Sequence, residues 1–307
     1  MLPEHAGPGS QLADALMVPG AGRLPATWSD LYKVATEHLG GDRRVARWLV
    51  EDASGGEWPS VLEDAVTTRA GELFLSMLER RLAGEPVQYV LGHWAFRHLD
   101  LMVDRRVLIP RPETEVVVEV ALAELRRSVA RAPIVVDLGT GSGAIALSVA
   151  TEAPSSLVWG TDGSTAALAV ASANLAGTGA RTAGRVRFVH GHWWSALPGD
   201  LRGQVDLVVT NPPYVSEAEL VQLASEVRDW EPWAALVPGP SGLEAITEIV
   251  QGAPSWLCPE GVLVCELAPH QARDTAALAL ASGFGVAEVR QDLAGRDRAL
   301  VARLRAP

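Results

Sequence analysis

The chain has 307 residues, of which 48% are hydrophobic and 21% charged, and its formal net charge at pH 7 is −11. This composition is that of a globular protein with a full core, long enough for one large domain or two ordinary ones. No apolar run approaches the ~18 residues that a membrane-spanning helix needs, and the first residues lack the pattern of a secretory signal. We therefore predict a cytoplasmic protein with no membrane partner.

The negative charge also disfavours nucleic acid as a direct partner. Proteins that hold DNA or RNA through phosphates usually present a basic face, whereas the short basic stretches at 42–48 and 79–85 are typical of solvated helix faces. The two cysteines, Cys258 and Cys265, form no metal-ligand pattern. The sequence predicts no metal site.

The N-terminal third of the sequence has two parts. Residues 1–26 are rich in Gly, Pro and Ala without an apolar period, which predicts a disordered tail. Residues 27–92 carry helical patterns, and in the clearest of them Phe74, Met77 and Leu78 share one face. We predict a small helical domain over 27–92.

The remainder of the chain changes pattern twice. Over residues 93–112, apolar Leu99, Leu101 and Val103 alternate with polar residues, which predicts a β-hairpin linker. From residue 113 to 307, strand and helix signals alternate, and this indicates a mostly parallel sheet with helices on both faces. The predicted strands of this domain lie at 134–139, 156–162, 185–191, 205–211 and 261–267, followed by a closing strand pair.

A glycine-rich loop follows the first of these strands. Gly139, Gly141 and Gly143 let the backbone approach a ligand closely, and the helix that follows offers unpaired N–H groups. Asp162 ends the second strand, where its carboxylate can accept hydrogen bonds from ribose hydroxyls. The spacing also fits a dinucleotide pattern, but Asp137 suits a ligand that carries an ammonium rather than a pyrophosphate. A purely structural glycine turn is the alternative.

The tetrapeptide "NPPY" follows the fourth strand. The carboxamide of Asn211 can accept a hydrogen bond from an N–H₂ group and donate one to a carbonyl, and the carbonyl of Pro212 can accept the second amine hydrogen. Pro213 stiffens the turn, and Tyr214 can cover a planar group by stacking. These properties point to a planar amide or amidine as the ligand, with a rigid loop capped by Asn as the alternative.

Together, the glycine loop, Asp162 and the tetrapeptide resemble class I S-adenosylmethionine-dependent methyltransferases that methylate planar nitrogens. The intact tetrapeptide disfavours a non-catalytic binding protein. A nicotinamide oxidoreductase is the least favoured alternative. Over residues 70–307 the chain resembles the HemK/PrmC family of release factor glutamine N5-methyltransferases, most distinctively in "LIPRPETE". The stretches that carry this resemblance are "AGEPVQYVLG" (83–92), "LIPRPETE" (108–115), "VVDLGTGSGAIALSVA" (135–150), "NPPYV" (211–215), "EVRDWEP" (226–232) and "SGLEAI" (241–246).

The resemblance implies an α/β, Rossmann-like fold with a mostly parallel seven-stranded sheet, preceded by a small N-terminal helical domain that docks the substrate. It implies methyl transfer from S-adenosylmethionine to the side-chain N5 of the glutamine in the Gly-Gly-Gln motif of class 1 peptide chain release factors. This reaction leaves S-adenosylhomocysteine and modulates translation termination. Release factors would be the partners of a monomeric enzyme. An N-methyltransferase that acts on an exocyclic amine of adenine or guanine in nucleic acid is the alternative.

The family's functional positions transfer to this chain as follows. The cofactor would be bound by Asp137, Gly139, Thr140, Gly141, Ser142, Gly143, Asp162, Trp193 and Asn211. The catalytic and substrate-binding residues would be Asn211, Pro212, Pro213 and Tyr214. The chain departs from the family at His192, where a carboxylate is common near the adenine, and at Ala268, where a glycine is common after the fifth strand. Core packing is the alternative role of Trp193 and Trp194.

Overall fold

The computed structural model describes residues 27–304, so the tail predicted at 1–26 lies outside the described residues. The chain divides into two compact units, with the boundary between Gly92 and His93. In the described part of the chain, no helix combines the length and apolar character needed to cross a membrane. The substrate-docking role of 27–92 and the linker role of 93–112 stay predictions.

The first unit is helical. Asp42 begins its second helix, because its side chain accepts hydrogen bonds from the backbone N–H groups of Arg44 and Val45, and Gly55 ends that helix at φ 67°. The apolar faces of the helices meet in one core, in which the rings of Trp28 and Phe74 pack edge to face. The helices are α1 (Trp28–His38), α2 (Arg43–Ser54), α3 (Thr68–Leu82) and α4 (Val87–Leu91), with a 3-10 turn at Ser60–Glu63.

The second unit opens with a hairpin of β1 (His93–Phe96) and β2 (Leu99–Met102). At its turn, Arg97 adopts φ 52° and places its guanidinium 2.5 Å from Glu152 and 3.0 Å from Glu119. These ion pairs hold the hairpin against the two helices that carry the glutamates, α5 (Pro112–Leu125) and α6 (Ala144–Glu152).

The main sheet follows, and the predicted mostly parallel seven-stranded arrangement is confirmed. The strand order is β5-β4-β3-β6-β7-β9-β8, in which β9 alone is antiparallel to its two neighbours. The strands are β3 (Ile134–Leu138), β4 (Leu157–Asp162), β5 (Val186–His190), β6 (Val205–Thr210), β7 (Leu257–Glu266), β8 (Phe284–Gln291) and β9 (Asp297–Leu304). Strand β7 begins four residues before its predicted start at 261, with a register shift against β6 where Pro259 and Gly261 interrupt the apolar pattern.

Helices cover both faces of this sheet. Successive residues of β3 enter different cores, since Val135 packs in the cluster on one face and Val136 in the cluster on the other. The remaining helices are α7 (Thr165–Gly177), α8 (Ala180–Ala183), α9 (Glu217–Leu220), α10 (Ser225–Arg228), α11 (Trp233–Leu236), α12 (Glu244–Gly252) and α13 (Ala272–Ala281). Additional 3-10 turns lie at Trp193–Ala196, Gly199–Leu201, Ala253–Ser255 and Pro269–Gln271.

The strand order changes direction at the β3–β6 pair. From β3 the chain runs outward through β4 to β5, and it then returns to place β6 on the other side of β3. In open α/β sheets, ligands bind beyond the carboxyl ends of the strands at such a point. The glycine loop, Asp162 and Asn211 follow β3, β4 and β6 at this edge.

Candidate active site

The two sequence motifs leave the sheet side by side. Leu138 and Thr210 are paired at the ends of β3 and β6, and the Thr210 hydroxyl donates a 2.7 Å hydrogen bond to the Leu138 carbonyl. Gly139 and Asn211 are the next residues on the two strands. The paired strands therefore bring the glycine loop and the tetrapeptide together at one edge of the sheet.

The glycine loop has a conformation that only glycine adopts easily. Gly139, Gly141 and Gly143 have φ values of +73°, +55° and +84°. The backbone N–H groups of Gly139 and Thr140 donate to the carbonyl of Thr161, at 2.9 and 2.8 Å. Strand β4 thus holds the loop in place at the carboxyl end of the sheet, where the loop leads into α6.

Asp137 lies beneath this loop with a completely buried side chain. One carboxylate oxygen, Oδ2, accepts hydrogen bonds from the Thr140 hydroxyl at 2.7 Å and from the Ala146 N–H at 3.0 Å. The other, Oδ1, has no hydrogen-bond partner among the described residues. Burial raises the pKa of Asp137 to about 7, and only part of this shift is offset by the two donors. A buried acceptor without a donor suits a cationic group of a ligand.

Asp162 and Ser142 brace the outer part of the loop. Asp162 is half-buried and accepts the Gly141 N–H on one oxygen, at 2.9 Å, and the Ser164 N–H on the other, at 2.8 Å. Burial raises the pKa of Asp162 above its ordinary value. The carbonyl of Ser142 accepts a 2.8 Å hydrogen bond from Asn174. Each Asp162 oxygen keeps a second lone pair, so this side chain can still accept from hydroxyl groups.

The three aromatic residues at 192–194 have different environments. Trp193 packs on the loop, because a Cβ atom at Gly139 would lie 3.1 Å from its ring. Trp194 stacks on Trp256 and donates its indole N–H to the Glu248 carbonyl at 3.2 Å. His192 is exposed and lies 3.3 Å from the Glu248 carboxylate. Of the three, only Trp193 contacts the glycine loop, and Trp194 has the packing role that was its alternative.

The tetrapeptide forms one wall of a cavity of about 270 Å³. A volume near the lower limit for ligand pockets suits a single side chain better than a nucleobase with its sugar. The cavity is lined by Leu108, Arg111, Asn211, Pro212, Pro213, Tyr214, Val215, Leu223, Val227, Ala235 and Leu236. The four predicted catalytic residues therefore lie together around one mostly apolar space.

Behind this wall, two residues that the sequence did not single out support the tetrapeptide. Asn211 donates its side-chain N–H to the Thr114 hydroxyl at 3.1 Å, and Thr114 donates in turn to Glu266 at 2.7 Å. The Tyr214 hydroxyl lies 3.3 Å from the other Glu266 oxygen. Burial raises the pKa of Glu266 to about 7 and that of Tyr214 above its ordinary value. Two sequence features could have pointed to these residues. Thr114 lies in the distinctive stretch "LIPRPETE", and Glu266 is the last residue of strand β7.

The other distinctive stretches meet the same wall. Arg111 of "LIPRPETE" is paired with the buried Glu231 of "EVRDWEP", which also accepts the Ile109 N–H at 3.2 Å. Gly242 of "SGLEAI" approaches so closely that a Cβ atom would lie 2.7 Å from the Tyr214 carbonyl. That carbonyl also accepts a 2.9 Å hydrogen bond from Gln271. Three segments distant in sequence thus fix the cavity wall.

The glycine-loop side of the site fits S-adenosylmethionine. The unpartnered Oδ1 of Asp137 matches the ammonium of the cofactor, and Asp162 has free acceptor capacity for its ribose hydroxyls. Trp193 offers an aromatic surface beside Gly139. Within residues 27–304, no group of three or more His, Cys, Asp or Glu is placed to hold a metal ion.

Comparisons with known proteins agree with these features. Residues 34–92 match the model of the PrmC N-terminal domain, and residues 117–227 match the model of the methyltransferase small domain. Curated relatives named release factor glutamine methyltransferase include one from Cereibacter sphaeroides, 42% identical over 79% of this chain and 83% of that protein. The relative from Bordetella pertussis is 39% identical over 94% of this chain and 97% of that protein.

A solved structure shares the fold. The hMettl16 catalytic domain in complex with MAT2A 3'UTR hairpin 6 has a TM-score of 0.52 and 13% identity, covering 78% of this chain and 82% of that chain. This likeness supports the methyltransferase fold alone. Together with the strand order, it confirms the predicted Rossmann-like class.

Proposed function

Because the chain belongs to the release factor glutamine methyltransferase family, we propose that it methylates the side-chain N5 of a glutamine in a release factor. The methyl donor is S-adenosylmethionine. The finer assignment is the Gly-Gly-Gln motif of class 1 peptide chain release factors, whose methylation modulates termination in the cytoplasm. The enzyme acts as a monomer on this protein substrate, without direct contact to nucleic acid.

One observation carries this proposal. The Asn211 carboxamide lines the cavity, and its N–H₂ group is engaged by Thr114, so its oxygen Oδ1 is available as an acceptor. A glutamine amide carries two hydrogens on its nitrogen, and Asn211 Oδ1 with the Pro212 carbonyl would accept them. The glycine loop follows β3, which is paired with β6, the strand that precedes Asn211. A cofactor bound at the loop and an amide bound at Asn211 can therefore meet.

S-adenosylmethionine supplies an electrophilic methyl group on a sulfonium. The residues of the chain must overcome the low nucleophilicity of an amide nitrogen, whose lone pair is delocalised into the carbonyl. Two fixed acceptors on the nitrogen would orient it and stabilise the positive charge that develops there. Alignment of the reacting atoms supplies much of the remaining acceleration. The nitrogen–carbon bond would form as the sulfur–carbon bond breaks, which leaves S-adenosylhomocysteine. The methylated nitrogen is acidic and would then lose one proton to solvent water, so no general base is required of the tetrapeptide before transfer.

The rest of the site would hold the reactants and exclude water. Asp137, the loop from Gly139 to Gly143, Asp162 and Trp193 bind the cofactor in this proposal. Pro213 restricts the turn, and Tyr214 covers the planar amide by stacking. The mostly apolar lining of the cavity would limit the water around the nitrogen.

Mass spectrometry tests the proposal directly. The purified protein is incubated with S-adenosylmethionine and either a class 1 release factor or the same factor with its Gly-Gly-Gln glutamine replaced by glutamate. We expect one added methyl group, located on that glutamine, in the first case and none in the second. A parallel incubation with RNA and DNA tests the alternative substrate. Methylation of an exocyclic base amine without methylation of the release factor would overturn the proposal.

A further inference from the structure

We propose that Thr114 and Glu266 form a hydrogen-bond relay that sets which end of the Asn211 carboxamide faces the substrate. This inference rests on the proposed function, because it gives the positioning residues of the same site. Thr114 and Glu266 touch neither the proposed amide nor the cofactor loop. They act through Asn211 and are positioning residues.

An asparagine side chain can adopt two orientations that differ in which end of the carboxamide faces the substrate. The oxygen and nitrogen of a carboxamide have the same shape, and rotation by half a turn exchanges an acceptor for a donor. In the proposed reaction, only the oxygen can receive a hydrogen from the substrate N–H₂. If the nitrogen faced the substrate, two N–H groups would oppose each other. The site therefore needs a device that selects one orientation.

The Thr114 hydroxyl is that device. A hydroxyl has a single proton, and Thr114 donates it to Glu266 Oε2 over 2.7 Å. Its oxygen can then only accept from Asn211, which lies 3.1 Å away. Asn211 must therefore present its N–H₂ group to Thr114 and its oxygen Oδ1 elsewhere. The direction of the Thr114–Glu266 hydrogen bond therefore fixes the orientation of the Asn211 carboxamide.

Burial makes this selection strong. Thr114 and Glu266 are 4% and 1% exposed, so water does not compete for their hydrogen bonds. Glu266 cannot donate when ionised, which leaves the Thr114 proton as the one between them. The Tyr214 hydroxyl occupies the second oxygen of Glu266 at 3.3 Å, so the same carboxylate is linked to two residues of the tetrapeptide.

The position of Thr114 in the fold also suits the role. It lies in the first turn of α5, two residues after Pro112 of "LIPRPETE". Glu266 is the last residue of β7, adjacent to the strand that delivers Asn211. The relay therefore joins a helix start and two strand ends, which are rigid parts of the molecule.

The experiment uses the small number of asparagines in the chain. The sequence contains two, Asn174 and Asn211, so protein labelled with ¹⁵N-asparagine gives two side-chain N–H₂ signal pairs in an NMR spectrum. Asn174 donates to the Met102 and Ser142 carbonyls and serves as an internal reference. Thr114→Val removes the hydroxyl at nearly constant shape. We expect the Asn211 pair to shift or broaden while the Asn174 pair stays in place.

Two further variants control for packing. Thr114→Ser keeps the hydroxyl and should restore the wild-type Asn211 signals. Thr275→Val makes the same chemical change at a buried hydroxyl in α13 that has no hydrogen-bond partner among the described residues, and it should leave the Asn211 pair unmoved. If Thr114→Val does not fold, Thr114→Ala removes the hydroxyl without placing a methyl group there, and the same signal change is expected.

Kinetics gives the second measurement. Thr114→Val should lower kcat on the release factor about tenfold, the effect of one lost hydrogen bond, with KM changed much less, because Asn211 acts mainly as charge develops. Thr114→Ser should restore kcat. An unchanged Asn211 pair and unchanged kcat in Thr114→Val would overturn the relay while leaving the proposed function standing. A wild-type protein that does not methylate the release factor would overturn the function, whereas the NMR result would still decide the relay.

Discussion

Two buried carboxylates lie at the same edge of the sheet and are used in opposite ways. Asp137 is the last but one residue of β3, beneath the glycine loop, and Glu266 ends β7 behind the tetrapeptide. Burial raises the pKa of each to about 7. Both oxygens of Glu266 have hydroxyl partners within the protein, whereas Asp137 has one oxygen without a partner among the described residues. At this end of the sheet, the free oxygen of Asp137 is the acceptor left for the proposed cofactor ammonium. The two occupied oxygens of Glu266 suit a group that positions its neighbours.

The largest effect is expected when the tetrapeptide is changed, because this separates its proposed role in turnover from the proposed role of Asp137 in cofactor binding. Asn211→Ala removes the proposed acceptor, and we expect kcat to fall about 100-fold or more, as for other donors and acceptors aimed at developing charge. Affinity for S-adenosylhomocysteine, measured by calorimetry, should stay nearly unchanged, because the glycine loop and Asp137 remain. Comparable turnover in the variant and the wild type would remove Asn211 from the mechanism.

The reciprocal change is Asp137→Asn. Loss of the charge should weaken cofactor affinity about tenfold, the effect of one charge-assisted hydrogen bond, with kcat at saturating cofactor largely retained. Calorimetry and steady-state kinetics measure the two effects. If the variant bound the cofactor normally but turned over slowly, Asp137 would not be the cofactor-binding carboxylate, and its proposed difference from Glu266 would be wrong.

The same variant should be more stable than the wild type at pH 8. The pKa of Asp137 is raised from 3.8 to about 7, so between these values the folded protein binds the proton more tightly than the unfolded chain. Its stability therefore falls as the pH rises toward 7. The carboxamide of the variant cannot ionise, so the variant avoids this loss, which is on the order of a few kcal/mol at pH 8. Urea unfolding at two pH values measures the gain, which should shrink as the pH approaches 4.

A smaller effect is expected from pH alone on kcat. Ionised Glu266 requires Thr114 to donate, whereas protonated Glu266 can donate to Thr114 and release the orientation of Asn211. Tyr214, Arg298 and Glu113 also act on this carboxylate. At saturating cofactor, kcat should rise a few-fold as the pH increases through about 7, and Thr114→Val should flatten the profile. A wild-type kcat that is constant across this range would contradict the linkage.

Local patterns predicted the fold, and they also predicted the glycine loop at the strand end where the structure has it. Strand β3 reads "IVVDL", and its apolar run, followed directly by three glycines, is a local signal for a buried strand and a ligand loop. Asp137 was identified by its position before that loop. Its bond to the Thr140 hydroxyl is also local, since the two residues are three apart.

The support of the tetrapeptide could not be predicted in this way. Thr114 and Glu266 are 152 positions apart, and only the packing of α5 against β7 brings them together. A threonine in a first helical turn and a glutamate at a strand end are ordinary residues when considered separately. Trp194 shows the same limitation, because its partners Glu248 and Trp256 lie more than 50 residues away. Side-chain pairs fixed by tertiary packing leave no periodic trace in the sequence.

The ion pair of the partly exposed Arg111 and the buried Glu231 has a consequence for chimeric proteins. The two charges come from segments 120 positions apart, and the Glu231 side chain is 1% exposed. Removal of Arg111 would leave the buried Glu231 without its cation, and because Arg111 is partly exposed to solvent, the cost should lie below the roughly 3–5 kcal/mol of a fully buried pair. A segment swap between this enzyme and a distant methyltransferase would therefore have to exchange "LIPRPETE" and "EVRDWEP" together. The two stretches therefore form one structural unit, although 120 positions of the chain separate the paired charges.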